Sequence, residues 1–299
     1  MNDLGYRITL ALLYALALLP MRVLYVLSDF LYLVVYHVAR YRRKLVRENL
    51  AACFPDRNET DRRDIEKKFY RNFTDYIVET VKLLHISDAE IKRRMQFENI
   101  ELIDRLTTEG RSVVIYFSHC GNWEWATSMT LHVRHDADSH VEYCQVYRPL
   151  RSEITDRLML RLRSRFGSLS FPKSSVLRDL IKLRRNGVTS VTGFMSDQKP
   201  SHGDPTVVTT LLNRPTAMIS GTETLARKLD MAVIYWDMEK PGRGRYRLTC
   251  RLICENPAEM PGHSITLSYA AMLQETIERN PSIWLWTHNR WKYPVQLPS

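Results

Sequence analysis

From residue 113 onward, short apolar runs alternate with amphipathic stretches. Runs rich in β-branched and aromatic residues occupy positions 113–117, 141–147, 188–194, 231–237 and 246–254. Between them, residues 123–132, 154–166, 175–186 and 217–229 repeat apolar positions at three or four residues, and a last such stretch covers 265–279. Side chains on a strand alternate faces, whereas those on a helix return about every 3.6 residues, so the two patterns predict strands and helices in turn. Strands alternating with helices of about ten to fifteen residues build an α/β sheet with helices packed on both faces. Ligands of such sheets gather beyond the carboxyl ends of the strands. His119 falls just past one predicted strand end, and Asp197 just past another.

The first third of the chain has a different pattern. Residues 58–110 are charged and helical in period; Asn58 or Thr60 can cap a helix whose apolar face is Phe69, Phe73, Ile77, Val81 and Leu84. Ahead of it lie two apolar runs, residues 8–19 and 23–39, divided by Pro20 and Arg22. At about 1.5 Å per residue neither run easily crosses a hydrocarbon core of about 30 Å by itself. One tilted span through Pro20, or a pair of helices lying partly in the interface, fits both. No small-residue cleavage site with a polar start follows, which argues against a removed signal peptide. A helical hairpin buried in a soluble core is the alternative to membrane attachment. Residues 1–39 therefore read as a membrane-associated segment and 40–299 as the α/β domain. Arg40, Arg42, Arg43, Lys44 and Arg47 crowd the boundary, which by the positive-inside rule keeps the domain cytoplasmic and offers charge to anionic headgroups.

Composition narrows the partners. The 299 residues carry a formal charge of +10, which calls for something anionic. On charge alone, nucleic acid, acidic lipid, a phosphorylated substrate and an acidic carrier protein all qualify. Cys53, Cys120, Cys144, Cys250 and Cys254 are odd in number, scattered and free of any Cys-x-x-Cys pair, a pattern suited to a reducing compartment.

The candidate chemistry is concentrated in FSHCGNWEW, residues 117–125. His119 and Glu124 are five residues apart. On one continuous helix that spacing separates them by roughly 140°, so they would not meet. With His119 in a turn and Glu124 on the first helical turn they can, and Gly121 and Asn122 suit such a turn, Asn122 as its cap. The carboxylate would then orient the imidazole, leaving its other nitrogen to take a proton from a hydroxyl. Spacing alone leaves a capping glutamate beside an incidental histidine equally open. Cys120 as a nucleophile is disfavoured, because adjacent side chains in extended structure point to opposite faces. A metal site from His119, Glu124, Asp197 and His202 lacks any ligand-pair spacing that fixes a metal.

The SHCGNWEW segment resembles the His-x4-Asp/Glu acyltransferase signature. With YRRKLVRENLAACFP (41–55), VYRPL (146–150), SDQ (196–198), GTETLAR (221–227) and WLWTHNRWK (284–292), the chain resembles the lipid A biosynthesis lauroyl/myristoyl acyltransferases across nearly its whole length. The resemblance implies a glycerolipid-acyltransferase-like mixed sheet flanked by helices. It implies an acyl-carrier-protein donor, a lipid A precursor or other anionic membrane lipid as acceptor, and no metal, nucleotide cofactor or nucleic-acid partner. The implied site is His119 as base and Glu124 as its carboxylate, with Arg148, Asp197 and Gln198 binding substrate. The implied location is the cell inner membrane, catalytic domain on the cytoplasmic side. An acyltransferase for another membrane lipid, such as an aminolipid or a phosphoinositide mannoside, is the nearest alternative, and a non-catalytic lipid-binding protein the next.

Overall fold

The computed structural model describes residues 2–134 and 140–297. Its centre is a seven-stranded mixed sheet in the order β1-β9-β8-β2-β5-β3-β4. The strands are β1 Met95–Glu98, β2 Val113–Phe117, β3 Val141–Tyr147, β4 Leu169–Pro172, β5 Thr189–Met195, β8 Ala232–Gly242 and β9 Arg245–Cys254; β6 Thr206–Leu211 and β7 Arg214–Ile219 form a separate antiparallel hairpin. Neighbours in the main sheet run parallel except β8 and β9. Every residue of β2 is buried, as an unbroken apolar run in a sheet covered on both faces requires.

Helices α1 Asn2–Leu18, α2 Met21–Tyr32, α3 Arg43–Cys53 and α4 Glu59–Lys82 precede the sheet, and α2 continues as a wider π turn over Leu33–Val38. Helix α5 Asp88–Arg94 leads into β1, and α6 Glu101–Thr108 joins β1 to β2. Later connections use α7 Glu153–Arg163, α8 Val176–Arg185, α9 Gly221–Leu229 and α10 Ser264–Arg279. Asn58 caps α4, its Oδ1 accepting the Asp61 N–H at 2.9 Å. The α/β architecture and five strands match the pattern of apolar runs, with ends shifted by a few residues.

Several elements differ from that pattern: β1 interrupts the stretch 58–110 that reads as helical, β4 falls outside the predicted strands, and two further segments also depart. Residues 217–219 belong to β7 and not to the following helix, because the β6–β7 hairpin turns through Leu212 and Asn213, both at positive φ. Two-residue hairpins favour that conformation, but Leu-Asn is a poor signal for it. Residues 123–132 form a short 3₁₀ segment, Trp125–Leu131, in place of an α-helix.

The N-terminal helices pack on the domain. Ala17, Leu24 and Ser28 are fully or almost fully buried against it, whereas Leu4, Leu12, Val26, Phe30 and Val38 face outward. Lys82 Nζ donates to the carbonyls of Ala17 (2.9 Å) and Leu19 (3.0 Å), satisfying acceptors that the end of α1 leaves open. Ser28 Oγ donates to Asp75 at 2.7 Å, and Arg243 joins Asp75 to Asp29. Three of the boundary arginines also turn inward. Arg43 and Arg47 both pair with the buried Glu66, and Arg42 donates to the Thr287 carbonyl. Arg40 and Lys44 are left to display the charge expected of that cluster.

Candidate active site

Parallel pairing of β2 with β5 sets Phe117 opposite Met195. The residues two further along each strand, His119 and Asp197, therefore emerge side by side at the carboxyl edge of the sheet. His119 Nδ1 lies 2.7 Å from Asp197 Oδ1, and the His119 backbone N–H donates to Asp197 Oδ2 at 3.1 Å. Trp284 Nε1 donates to the same Oδ2 at 2.9 Å. Burial alone would raise the Asp197 pKa, but the adjacent imidazole and these donors outweigh it and lower it to about 2. A carboxylate so held is an acceptor at neutral pH, which assigns the ring proton to Nδ1 and leaves the Nε2 lone pair free for chemistry. The Gln198 side-chain amide sits 3.1 Å from Nε2; with that tautomer its NH₂ is the donor.

The turn after His119 is tightly fixed. Gly121 has φ of +59°, and a Cβ there would meet Tyr246 at 3.0 Å and Met238 at 3.1 Å, so both conformation and space demand glycine. The C-terminal segment clamps the turn from outside: the Gly121 N–H donates to the Ile283 carbonyl and the Leu285 N–H to the His119 carbonyl. Asn122 caps the following segment as its type suggests, accepting the Trp125 N–H at 3.1 Å, while its Nδ2 donates to Glu79 Oε2 at 2.9 Å. Glu79 is completely buried and also accepts the phenols of Tyr25 (3.0 Å) and Tyr246 (2.8 Å).

Glu124 is not the partner of His119 that its spacing suggests. Arg163, at the end of α7, grips it through Nε (2.9 Å to Oε2) and Nη2 (2.7 Å to Oε1). Trp123 Nε1 adds a bond to Oε1 at 3.2 Å. The Trp123 ring then connects the two parts of the site, since it lies 4.9 Å from the His119 ring and stacks on Tyr76 at 4.1 Å. The sequence offered no reason to single out Arg163, one of several arginines on a polar helix. Asp197 was visible as a strand-end residue, but its pairing with His119 depends on strand order, which the pattern does not encode.

Arg148 stands apart, exposed in the segment after β3; burial opposes the ionisation of nearby Asp204, but its bond to Lys173 at 2.6 Å outweighs that, with Arg148 a lesser contributor. Gln198 and Asp197 join His119; Arg148 does not. Cys120 is buried, and burial drives its thiol pKa well up, a poor setting for a nucleophile. His202 lies exposed, and among the described residues no three His, Cys, Asp or Glu side chains gather as a metal-holding group.

Beyond Trp123 a narrow apolar cavity runs under the sheet face of β2, β3 and β5. Ile115, Phe117, Met129, Val146 and Val191 line it, with Glu124 and Arg163 at its polar wall. Its open volume of about 40 Å³ is far below the ~300–1,000 Å³ common in ligand pockets, so side chains must part before a long chain enters.

Comparison with known proteins supplies the family. The profile of bacterial lipid A biosynthesis acyltransferases matches residues 3–293. The chain belongs to that acyltransferase family. A lipid A biosynthesis palmitoleoyltransferase of Escherichia coli is 22% identical over 261 residues, 84% of this chain and 79% of the relative. A Haemophilus influenzae lipid A biosynthesis acyltransferase is 22% identical over 219 residues, 73% of this chain and 66% of its own length. A Shigella flexneri lipid A biosynthesis acyltransferase matches over the same 261 residues as the E. coli protein. At this identity the family is common, while acyl chain and acceptor are free to differ.

Proposed function

We propose that the protein transfers a fatty acyl chain from an acyl-carrier-protein thioester to a hydroxyl of a lipid A precursor, at the cytoplasmic face of the inner membrane. The observation that carries the reading is the His119 imidazole: one nitrogen is fixed on a buried carboxylate, and the ring rests on the Trp123 wall of an apolar cavity. The acceptor hydroxyl displaces the Gln198 amide from Nε2, gives its proton to that nitrogen, and its oxygen attacks the thioester carbonyl. Collapse of the tetrahedral intermediate breaks the C–S bond. His119 returns the proton to the leaving thiolate, so an ester and a free carrier thiol are the products. Asp197 stabilises the imidazolium between these steps. Glu124 acts through Arg163, holding a buried guanidinium beside the cavity where negative charge grows on the carbonyl oxygen. Arg148, exposed in the segment after β3 and apart from His119, meets the acidic carrier or an anionic part of the acceptor. The positive charge of the whole molecule suits both substrates.

Mass spectrometry of purified protein incubated with lauroyl-, myristoyl- and palmitoleoyl-carrier protein and a defined lipid A precursor tests this reading. A mass gain of one acyl group, stronger with carrier protein than with coenzyme A thioesters, is expected. Acylation of an aminolipid or mannoside, with none on the lipid A precursor, would move the protein to a different acceptor. No acyl transfer to any lipid would leave the non-catalytic reading.

A further inference from the structure

A second cavity lies away from His119. It is an open cleft of about 860 Å³ between α2, α4 and the β8–β9 hairpin. Four cations line it, Lys68 and Arg71 of α4 with Lys240 and Arg243 of the hairpin, against two carboxylates, Asp29 and Asp75. Those carboxylates are already committed. Arg243 binds both, and Lys240 lies 3.7 Å from Asp75 while donating to Asn72 Oδ1 at 2.8 Å. Among the described residues no carboxylate pairs with Lys68 or Arg71; Arg71 rests over the Tyr32 ring at 5.2 Å. Two cations without a carboxylate partner, one turn apart on the same helix, thus line the same cleft as Asn72, Asn280 and Ser282. A phosphate monoester, at about −1.5 to −2 charge, matches them.

The cleft and a cavity at the His119 turn have a lining residue in common. Asn72 lines the cleft and also a small cavity reaching Gly121 and Trp123 of the catalytic turn, and Trp123 in turn lines the apolar cavity. Its outer rim is formed by Phe30 and Leu33, which are 61% and 53% exposed. Such a rim suits the hydrocarbon of a lipid whose headgroup enters the cleft.

We propose that this cleft binds a phosphate of the acceptor lipid, holding the headgroup at Lys68 and Arg71 so that a hydroxyl reaches His119. The proposal rests on the acyl-transfer reading for its consequence, though not for its binding site. Full-length wild-type protein and Lys68→Ala/Arg71→Ala are compared on phosphatidylcholine vesicles doped with a phosphorylated lipid A disaccharide, its dephosphorylated counterpart, or phosphatidylglycerol at matched charge. Both residues are exposed, and a melting curve confirms that the double variant is folded. Wild type should bind the phosphorylated disaccharide about ten-fold or more tightly than either alternative, the scale of one or two charge-assisted contacts, and the double variant should lose that preference. In turnover, the variant should raise acceptor KM by a similar factor and lose discrimination between the two disaccharides. Unchanged binding in the variant overturns the site. An equal loss on phosphatidylglycerol overturns it in favour of a general anionic-membrane contact. If wild type shows the binding preference but acylates nothing, the function reading fails while the anion site stands.

Discussion

A carboxylate on Nδ1 and an amide on Nε2 favour the His119 tautomer with its proton on Nδ1, and both partners can be changed without altering side-chain size much. Asp197→Asn should lower turnover by about 10²–10⁴, since the amide can donate to Nδ1 and reverse the tautomer; initial rates at saturating substrates check it. Glu124→Gln should also impair turnover, but by loosening Arg163, so Arg163→Ala and the double variant should show losses that do not add. Additive losses would mean that the two act separately. A neighbouring histidine gives a pH signature. Burial depresses His288 from 6.5 to about 4, and its neutral Nε2 accepts the Lys199 N–H at 3.1 Å. Between those values the unfolded chain binds the proton that the folded chain refuses, so stability falls as pH drops from about 6.5 to about 4. Thermal midpoints across that range should show the decline, and His288→Gln should flatten it. At this scale the sequence places His119, Asp197 and Gln198 after apolar runs, and the structure brings the three side chains together. The sequence pairs Glu124 with His119, whereas the structure gives that carboxylate Arg163, 39 residues further along, which a five-residue spacing does not reveal.

Elements explain why the catalytic turn holds its shape. Glu79 on α4 links Tyr25 of α2, Tyr246 of β9 and Asn122 of the turn through one buried carboxylate. Tyr25 reaches beneath Gly244, where an added Cβ would overlap its hydroxyl at 1.7 Å; the hairpin glycine makes room for it. Glu79→Gln places an amide N–H₂ among three donors and should cost about 1–3 kcal/mol, read from urea denaturation. An unchanged midpoint would show that the network is not strained by the swap. None of this was legible beforehand. Glu79 sits in a charged helical stretch, and nothing local marks it as buried. Strands β2, β3, β5, β8 and β9 were legible because β-branched and aromatic residues concentrate in them, whereas the short β1 sits in a stretch that reads as helical and the short β4 in none of those runs. The half-buried β6–β7 hairpin was not legible either, for its threonines alternate weakly and its turn lacks a glycine signal.

Across the whole molecule, α1 and α2, which we propose as the membrane anchor, are also packed into the folded domain. Met21–Val38 is long and apolar enough to cross a membrane, yet its inner face is bound to α4 by buried contacts. Two predictions separate those roles. Val26→Glu with Phe30→Glu should release protein from anionic vesicles while leaving the melting temperature nearly unchanged, because both side chains face outward. Deleting residues 1–39 should lower the melting temperature as well, since it uncovers Asp75, Glu79 and Lys82. A truncated protein as stable as the full chain would make the segment a detachable anchor, as the apolar runs by themselves suggest. Acyl transfer through His119 is tested most directly by the initial rate of product formation in purified His119→Ala, followed by mass spectrometry with saturating donor and lipid A precursor. The expected rate is lower than wild type by about 10²–10⁴ at unchanged folding; a folded His119→Ala that turns over near the wild-type rate would contradict it.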